Sequence, residues 1–394
     1  MTSEGVHVFL DVALRKTLRI DPEKESFTIK MTGGPAGDVA GNLINILIRE
    51  YGSNVKFVGI ADHSGCAEDP NGLNQQELLR LFEEEFPISH FDPKLLSTTD
   101  EAALHLVSDS EEATKARNSM HNRLKADAFV PCGGRPNTID ITNYSQFILP
   151  NGKPSSKLIV EGANLFVTAE ARQALFDEAG VVIVKDSSAN KGGVITSSYE
   201  IIAAMLLDED TFYEHKEKIV EEVLVKLRKL ARMEAELLFR GGESTTTSAL
   251  PEASQIISDS INTVTDALSA TLDTWTEEER EELLPLFRAH LPDTLANLAF
   301  DRVLQNVPDQ YIKNAISSCL ASKIVYKEGT AFIEAQPKGK LAEMALSYIQ
   351  REKEVARLME TLGDATNIPN EEKKKMMRLL EAGGARTALS FTDT

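Results

Sequence analysis

The sequence predicts an α/β protein: a doubly wound, mostly parallel sheet followed by an α-helical C-terminal region. Three observations carry that reading. Short β-rich runs alternate with apolar-periodic helices from about residue 27 to residue 199, the pattern of parallel strands joined by helical crossovers. The first strand runs straight into a turn holding Gly33, Gly34, Gly37 and Gly41. From residue 200 onward only helical periodicity remains, so the sheet is confined to the first half of the chain.

In chain order, residues 27–31 read as a strand and 39–51 as a helix, with Val39, Leu43, Ile46 and Leu47 on one face and a glycine stop at Tyr51-Gly52. A second strand follows at 55–61, then a helix at 74–85 and an irregular stretch at 87–110. A helix at 111–125 leads into a strand at 128–131, and strands at 158–160 and 181–184 flank a helix at 168–178. The next helix, 210–240, is amphipathic: Ile219, Val223, Leu227 and Leu230 form one stripe among Glu/Lys pairs. It stops at Gly241-Gly242, before a Ser/Thr-rich loop at 243–248. Helices at 256–272, 277–289, 295–305 and 310–326 read as a bundle, and the charged helical tail from 339 ends in a frayed 383–394. The expected division is 1–204, 205–335 and 336–394.

Composition narrows the functional classes. The chain has 394 residues, 42% of them apolar, with no run of about 20 apolar residues to span a membrane. Its net charge of −19 argues against nucleic-acid binding, which needs a basic footprint. The one basic run, Lys373 to Lys375, lies among acidic residues and reads as a solvated helix face. Cys66, Cys132 and Cys319 are far apart, which indicates neither a disulfide framework nor a thiolate zinc site. The seven histidines are scattered, without the i, i+4 spacing of a helical metal pair, so no metal is expected. The acidic N-terminus does not resemble a targeting segment.

The glycine turn between a strand and a helix is the arrangement that holds a pyrophosphate: glycines let the backbone approach, and the free N–H groups of the helix start face the negative charge. Asp62 ends the second strand, about 20 residues past the turn, where a carboxylate bonds a ribose 2′-hydroxyl and repels a 2′-phosphate. That favours NAD over NADP. The best alignment, Gly34-x-x-Gly37-x-x-Ala40, is not the standard spacing, and a plain glycine turn is the competing reading. Three more clusters lie at strand ends, where open α/β sheets bind ligands. Pro131-Cys132-Gly133-Gly134 is a flexible loop or a plain turn. Asn164, in Glu161-Gly162-Ala163-Asn164, is a ligand for a carboxamide or ribose, or a helix cap. Asn190, Lys191, Gly192, Gly193 and the hydroxyls of Thr196, Ser197 and Ser198 make the third.

Together these motifs resemble the nicotinamide-binding half of the glutamate, leucine, phenylalanine and valine dehydrogenases. Residues 30–42 are similar to the turn of the large NAD-specific glutamate dehydrogenases of fungi and other eukaryotic microbes, and the resemblance covers 2–326. It implies a Rossmann-like fold and NAD-dependent oxidation of glutamate to 2-oxoglutarate and ammonia, by a homo-oligomer in the cytoplasm or mitochondrial matrix. It places Thr2 at the nicotinamide carboxamide, with Ser3 standing where the family has glycine. It places Gly34, Gly37, Asp38 and Val39 at the pyrophosphate and Asp62 at the adenosine ribose. Pro131, Cys132 and Gly133 fall on the adenosine side, Asn164 and Asn190 at the nicotinamide end, and Ser197 on a substrate carboxylate. The helix from about 210 is expected to return toward a substrate domain.

The family's catalytic lysine and aspartate belong to a substrate domain upstream of the nucleotide domain. Lys-Gly-Gly-x-Arg does not occur here, and the letters Pro-Ala-x-Asp occur at Pro35 to Asp38, inside the glycine turn itself, so no catalytic residue is assigned. Lys191-Gly192-Gly193 contains the right letters, but its setting matches the Asn-x-Gly-Gly turn. Cys132 has no histidine placed beside it by sequence and reads as a small core residue rather than a nucleophile. Two functional readings result: the NAD-binding half of a glutamate dehydrogenase, or a catalytically incomplete NAD-binding regulatory module. A dehydrogenase for an apolar amino acid is a third.

Overall fold

The computed structural model describes residues 1–240, 250–337 and 339–390. The chain divides into two compact units, one of residues 1–201 with 220–254 and one of residues 202–219 with 255–394.

The first unit is built on one seven-stranded sheet. Its strands are β1 (Phe27–Thr32), β2 (Val55–Ala61), β3 (Gly65–Glu68), β4 (Ala103–Leu106), β5 (Ala128–Pro131), β6 (Leu158–Val160) and β7 (Val182–Val184), ordered β4-β3-β2-β1-β5-β6-β7. β2, β1, β5, β6 and β7 are parallel; β3 and β4 add an antiparallel edge. The chain therefore winds outward from β1 through β2 and returns to β5 on the other side. That reversal opens a crevice at the carboxyl ends of β1 and β5, the place where such sheets bind ligands.

β4 lies within the stretch that reads as irregular in the sequence. β3 reads Gly-Cys-Ala-Glu and β4 Ala-Leu-His-Leu, without the β-branched residues that mark β5, β6 and β7. The sequence reading also leaves out α1 (Thr2–Ala13), whose residues from Ser3 to Ala13 are all buried. Within α1, Glu4, His7 and Asp11 recur at helical spacing, so a helical period was present there to be read. It is held to α8 (Glu209–Leu238) by Glu4–Arg228 at 2.7 Å and Asp11–Arg232 at 2.8 Å.

Between them stand α2 (Asp38–Tyr51), α3 (Gln75–Glu83), α4 (Glu111–Arg123), α5 (Ala169–Ala179), the short α6 (Asp186–Ala189) and α7 (Gly192–Leu206). Gly192-Gly193 thus opens a helix. α4 covers the sheet through Met120 and Leu124, which pack on Ala61 and Cys66. α5 closes a second core, where Ala171 and Leu175 meet Phe129, Ile159 and Ile183. Lys30 of β1 is fully buried, with its Nζ donating to the Leu124 carbonyl at 2.7 Å and to Ser155 Oγ at 2.6 Å.

The second unit is helical. α9 (Leu250–Leu272) enters it, and α10 (Glu277–His290), α11 (Asp293–Ala299), α12 (Val303–Asn306), α13 (Asp309–Glu328), α14 (Thr330–Glu334), α15 (Leu341–Asp364) and α16 (Asn370–Ser390) follow. The segment read as one helix at 295–305 is α11 and α12, joined by the 3₁₀ turn Phe300–Arg302. α10 starts at a capping box in which Thr276 and Glu279 satisfy each other's backbone N–H groups. The glycine stop at 241–242, the loop at 243–248 and residues 391–394 lie outside the described residues.

Candidate functional site

The turn after β1 is shaped for close backbone approach. Gly33 has φ of +93°, a conformation open mainly to glycine, and a Cβ on Gly34 would lie 2.1 Å from Asp62 Oδ2. α2 then begins with Gly37 as its N-cap and no side-chain cap. Its neighbours α3, α4 and α5 are capped by Asn74, Ser110 and Thr168. The first N–H groups of α2 are thus left without a side-chain acceptor, in the geometry that binds anions. Beside them is a cleft of about 800 Å³ lined by Gly34, Gly37, Asp62, Gly133, His121 and Arg117, among others. Thr32 also lines it, and its Oγ1 is buried with no hydrogen-bond partner.

Asp62 is buried and engaged. Its Oδ1 accepts from Ser64 N at 2.8 Å and Ser64 Oγ at 2.6 Å, and its Oδ2 accepts from Ile88 N at 2.8 Å. A carboxylate has about four acceptor positions, so there is capacity for one more donor. The internal bonds fix the carboxylate against the glycine turn.

The remaining assigned residues fall elsewhere. Asp38 is exposed at the start of α2, and the Val39 carbonyl accepts from Ser3 Oγ at 2.9 Å. Pro131 and Cys132 are tied in at the carboxyl end of the interior strand β5: the Pro131 carbonyl accepts from Gly162 N and Ala163 N, and Cys132 N donates to Thr32 O. Burial pushes the Cys132 thiol up, away from the thiolate, which suits a packing role.

Thr2, Asn164 and Asn190 form a second group. Asn190 Nδ2 donates to Asn164 Oδ1 at 2.6 Å, and a Cβ on Gly193 would lie 2.7 Å from Thr2 Oγ1. Asn164 is not a helix cap, because Thr168 caps α5. The two asparagine loops are fixed from below by Arg172, which makes a bidentate pair with the fully buried Glu161 at 2.7 and 2.8 Å and reaches Asp186 at 3.4 Å. Ser197 lies exposed on α7, its Oγ donating to Gly193 O at 3.3 Å. Lys191 is paired with buried Glu234 of α8 at 2.7 Å, which gives it a structural partner.

Sequence reasoning places a helix at α4 but not its role. Thr114, Arg117, Asn118 and His121 all line the cleft, and the i, i+3, i+4, i+7 spacing of these polar groups was the available signal. Burial, reinforced by the charges of Lys30 and Arg117, brings the His121 imidazole down to about 4 from its usual 6.5. The folded state therefore binds this proton less tightly than the unfolded one. The resulting stability is present above pH 6.5 and is lost as pH falls toward 4. His121 alone is expected to make the protein about 2 kcal/mol less stable at pH 5 than at pH 7. Urea unfolding of wild type and His121→Phe at both pH values checks this: the variant should show a correspondingly smaller pH difference.

Among the described residues no group of His, Cys, Asp and Glu could hold a metal ion, and no helix is long and apolar enough to cross a membrane.

Residues 1–254 match the family model for glutamate/leucine/phenylalanine/valine dehydrogenase. The chain belongs to this dehydrogenase family. Within it, the chain is similar to a probable NAD-specific glutamate dehydrogenase of Schizosaccharomyces pombe, with 36% identity over 83% of this chain and 30% of the relative. It is 35% identical to glutamate dehydrogenase 2 of Dictyostelium discoideum over 84% of this chain and 32% of that protein. The chain thus spans about a third of the length of these relatives. A solved glutamate dehydrogenase aligns over 65% of this chain and 50% of its own, with 18% identity and a TM-score of 0.46.

Proposed function

We propose that this chain is the NAD-binding half of an NAD-dependent glutamate dehydrogenase. The observation that carries the reading is the uncapped start of α2 beside Gly34 and the fixed carboxylate of Asp62, at the crevice where the sheet reverses direction. The unpartnered Thr32 hydroxyl fits the same ligand, since a buried polar atom without a partner is costly and a bound nucleotide would supply one. NAD would supply the hydride acceptor for oxidation of the amino acid.

In this reading the N–H groups of α2 and the backbone of Gly34 and Gly37 hold the pyrophosphate. Asp62 takes the adenosine ribose hydroxyl, and Thr2, Asn164 and Asn190 orient the nicotinamide carboxamide. Ser197 takes a carboxylate of glutamate or 2-oxoglutarate. The lysine and aspartate of the chemistry come from a part of the protein that this chain does not contain. Asp62→Ser is expected to weaken NAD+ binding about tenfold and to narrow its preference over NADP+. Calorimetric titration with NAD+ and NADP+ measures the effect; unchanged affinities would remove Asp62 from the site.

The function itself is tested by capturing the native polypeptide that carries this chain with an antibody to its C-terminal tail. Assay of the captured material with NAD+ should form NADH with L-glutamate. NADH formation with leucine, phenylalanine or valine instead, or with none of them, would contradict the proposal.

A further inference from the structure

Resting on the NAD reading above, we infer that α4 presents a base-reading face to the cleft, on which His121 accepts a hydrogen bond from the exocyclic amino group of adenine. The cleft runs from the glycine turn past Asp62 to α4, and Asn164 and Asn190 are not among its lining residues. The part beyond Asp62 is therefore the place for the adenosine half.

His121 is 6% exposed, and no hydrogen bond involves its ring nitrogens among the described residues. The ring is held in place: it stacks on Phe129 at 5.7 Å and 19° and meets Phe166 edge-on at 5.9 Å. Phe166 itself lines the cleft. A ring nitrogen that opens on a cleft and has no protein partner is a hydrogen-bond position a ligand can fill. Burial, with Lys30 and Arg117 adding to it, keeps the ring unprotonated, so one nitrogen is an acceptor.

Adenine's ring nitrogens are all acceptors, and its only donor on the base is the 6-amino group. A bound adenine can therefore satisfy the His121 acceptor in one way. One turn earlier on α4, Arg117 Nε donates to the Asp62 carbonyl at 2.5 Å and Nη1 to Asn118 Oδ1 at 2.9 Å. This arrangement ties the α4 face to the ribose side of the cleft and sets its distance from the glycine turn.

The test is calorimetric titration of the whole chain with NAD+ and with nicotinamide purine dinucleotide, in which hydrogen replaces the 6-amino group. Wild type should bind NAD+ about tenfold more tightly, the usual cost of leaving a buried polar group unpaired. His121→Phe, which retains an aromatic ring against Phe129 and Phe166, should bind both dinucleotides at the level of the purine analogue. Equal binding of the two by wild type overturns the inference without reference to any variant. So does a tenfold preference that survives in His121→Phe. Failure of wild type to bind NAD+ at all would instead overturn the NAD reading on which the inference rests.

Discussion

Arg172→Met should destabilise the first unit by about 3–5 kcal/mol, because it strips the counter-charge from a buried carboxylate while leaving that carboxylate in place. Glu161 is fully buried, and both of its oxygens accept from the Arg172 guanidinium; Asp186, also buried, lies at 3.4 Å from the same group. Arg172→Lys keeps the charge but loses the two-pronged geometry, so an intermediate effect is expected. For a unit of this size the loss in Arg172→Met corresponds to a fall in melting temperature on the order of 10 °C. Thermal unfolding followed by circular dichroism reads it, and a shift of about 1 °C or less would show that the buried Glu161 carboxylate does not depend on its counter-charge. Replacing both partners, Glu161→Leu with Arg172→Met, should recover part of the loss, since the fully buried carboxylate is then gone and Asp186 keeps the N–H groups of Leu165 and Ser187.

Gly34→Ala is the second large effect. The added Cβ would lie 2.1 Å from Asp62 Oδ2, and the Asp62 carboxylate is held by Ser64 and Ile88. The carboxylate cannot yield without breaking those bonds, so the turn must move away from it. Both the ribose contact and the backbone approach to the pyrophosphate are then displaced, and NAD+ binding should fall about a hundredfold, or ~2.7 kcal/mol. Overpacking also costs stability, of the order of 1–3 kcal/mol, so a melting curve on the same sample separates weakened binding from unfolding. Affinity within about threefold of wild type in a folded variant would place the nucleotide away from Gly34.

The elements legible in the sequence were those with a marked pattern of residue types. α2 and α8 each carry a single apolar stripe, β1 alternates Phe27, Ile29 and Met31 with Thr28, Lys30 and Thr32, and β5, β6 and β7 are short apolar runs. α1 was not, although Glu4, His7 and Asp11 carry helical spacing, since no side-chain cap marks its start. β3 and β4 were not, because Gly-Cys-Ala-Glu and Ala-Leu-His-Leu lack the β-branched residues of the equally short β5, β6 and β7.

The site divides in the same way. Backbone functions leave glycines in the sequence, so Gly33, Gly34 and Gly133 could be found from spacing alone. Side chains that reach the cleft from a helix crossing above the sheet leave no such mark. Arg117, Asn118 and His121 sit 55 or more residues from Asp62 in the chain and become its neighbours only through the packing of α4 on β2. The Glu161–Arg172–Asp186 network was equally hidden, since nothing in three separated charged residues announces that they share one buried point. The same limit applies to Lys191, whose partner Glu234 is supplied by a helix from later in the chain.

The most direct test of the account is a calorimetric titration of this chain with NAD+ and NADP+. The account predicts saturable binding of one NAD+ per chain, with NADP+ weaker. Absence of any NAD+ binding by a chain that circular dichroism shows to be folded would contradict it.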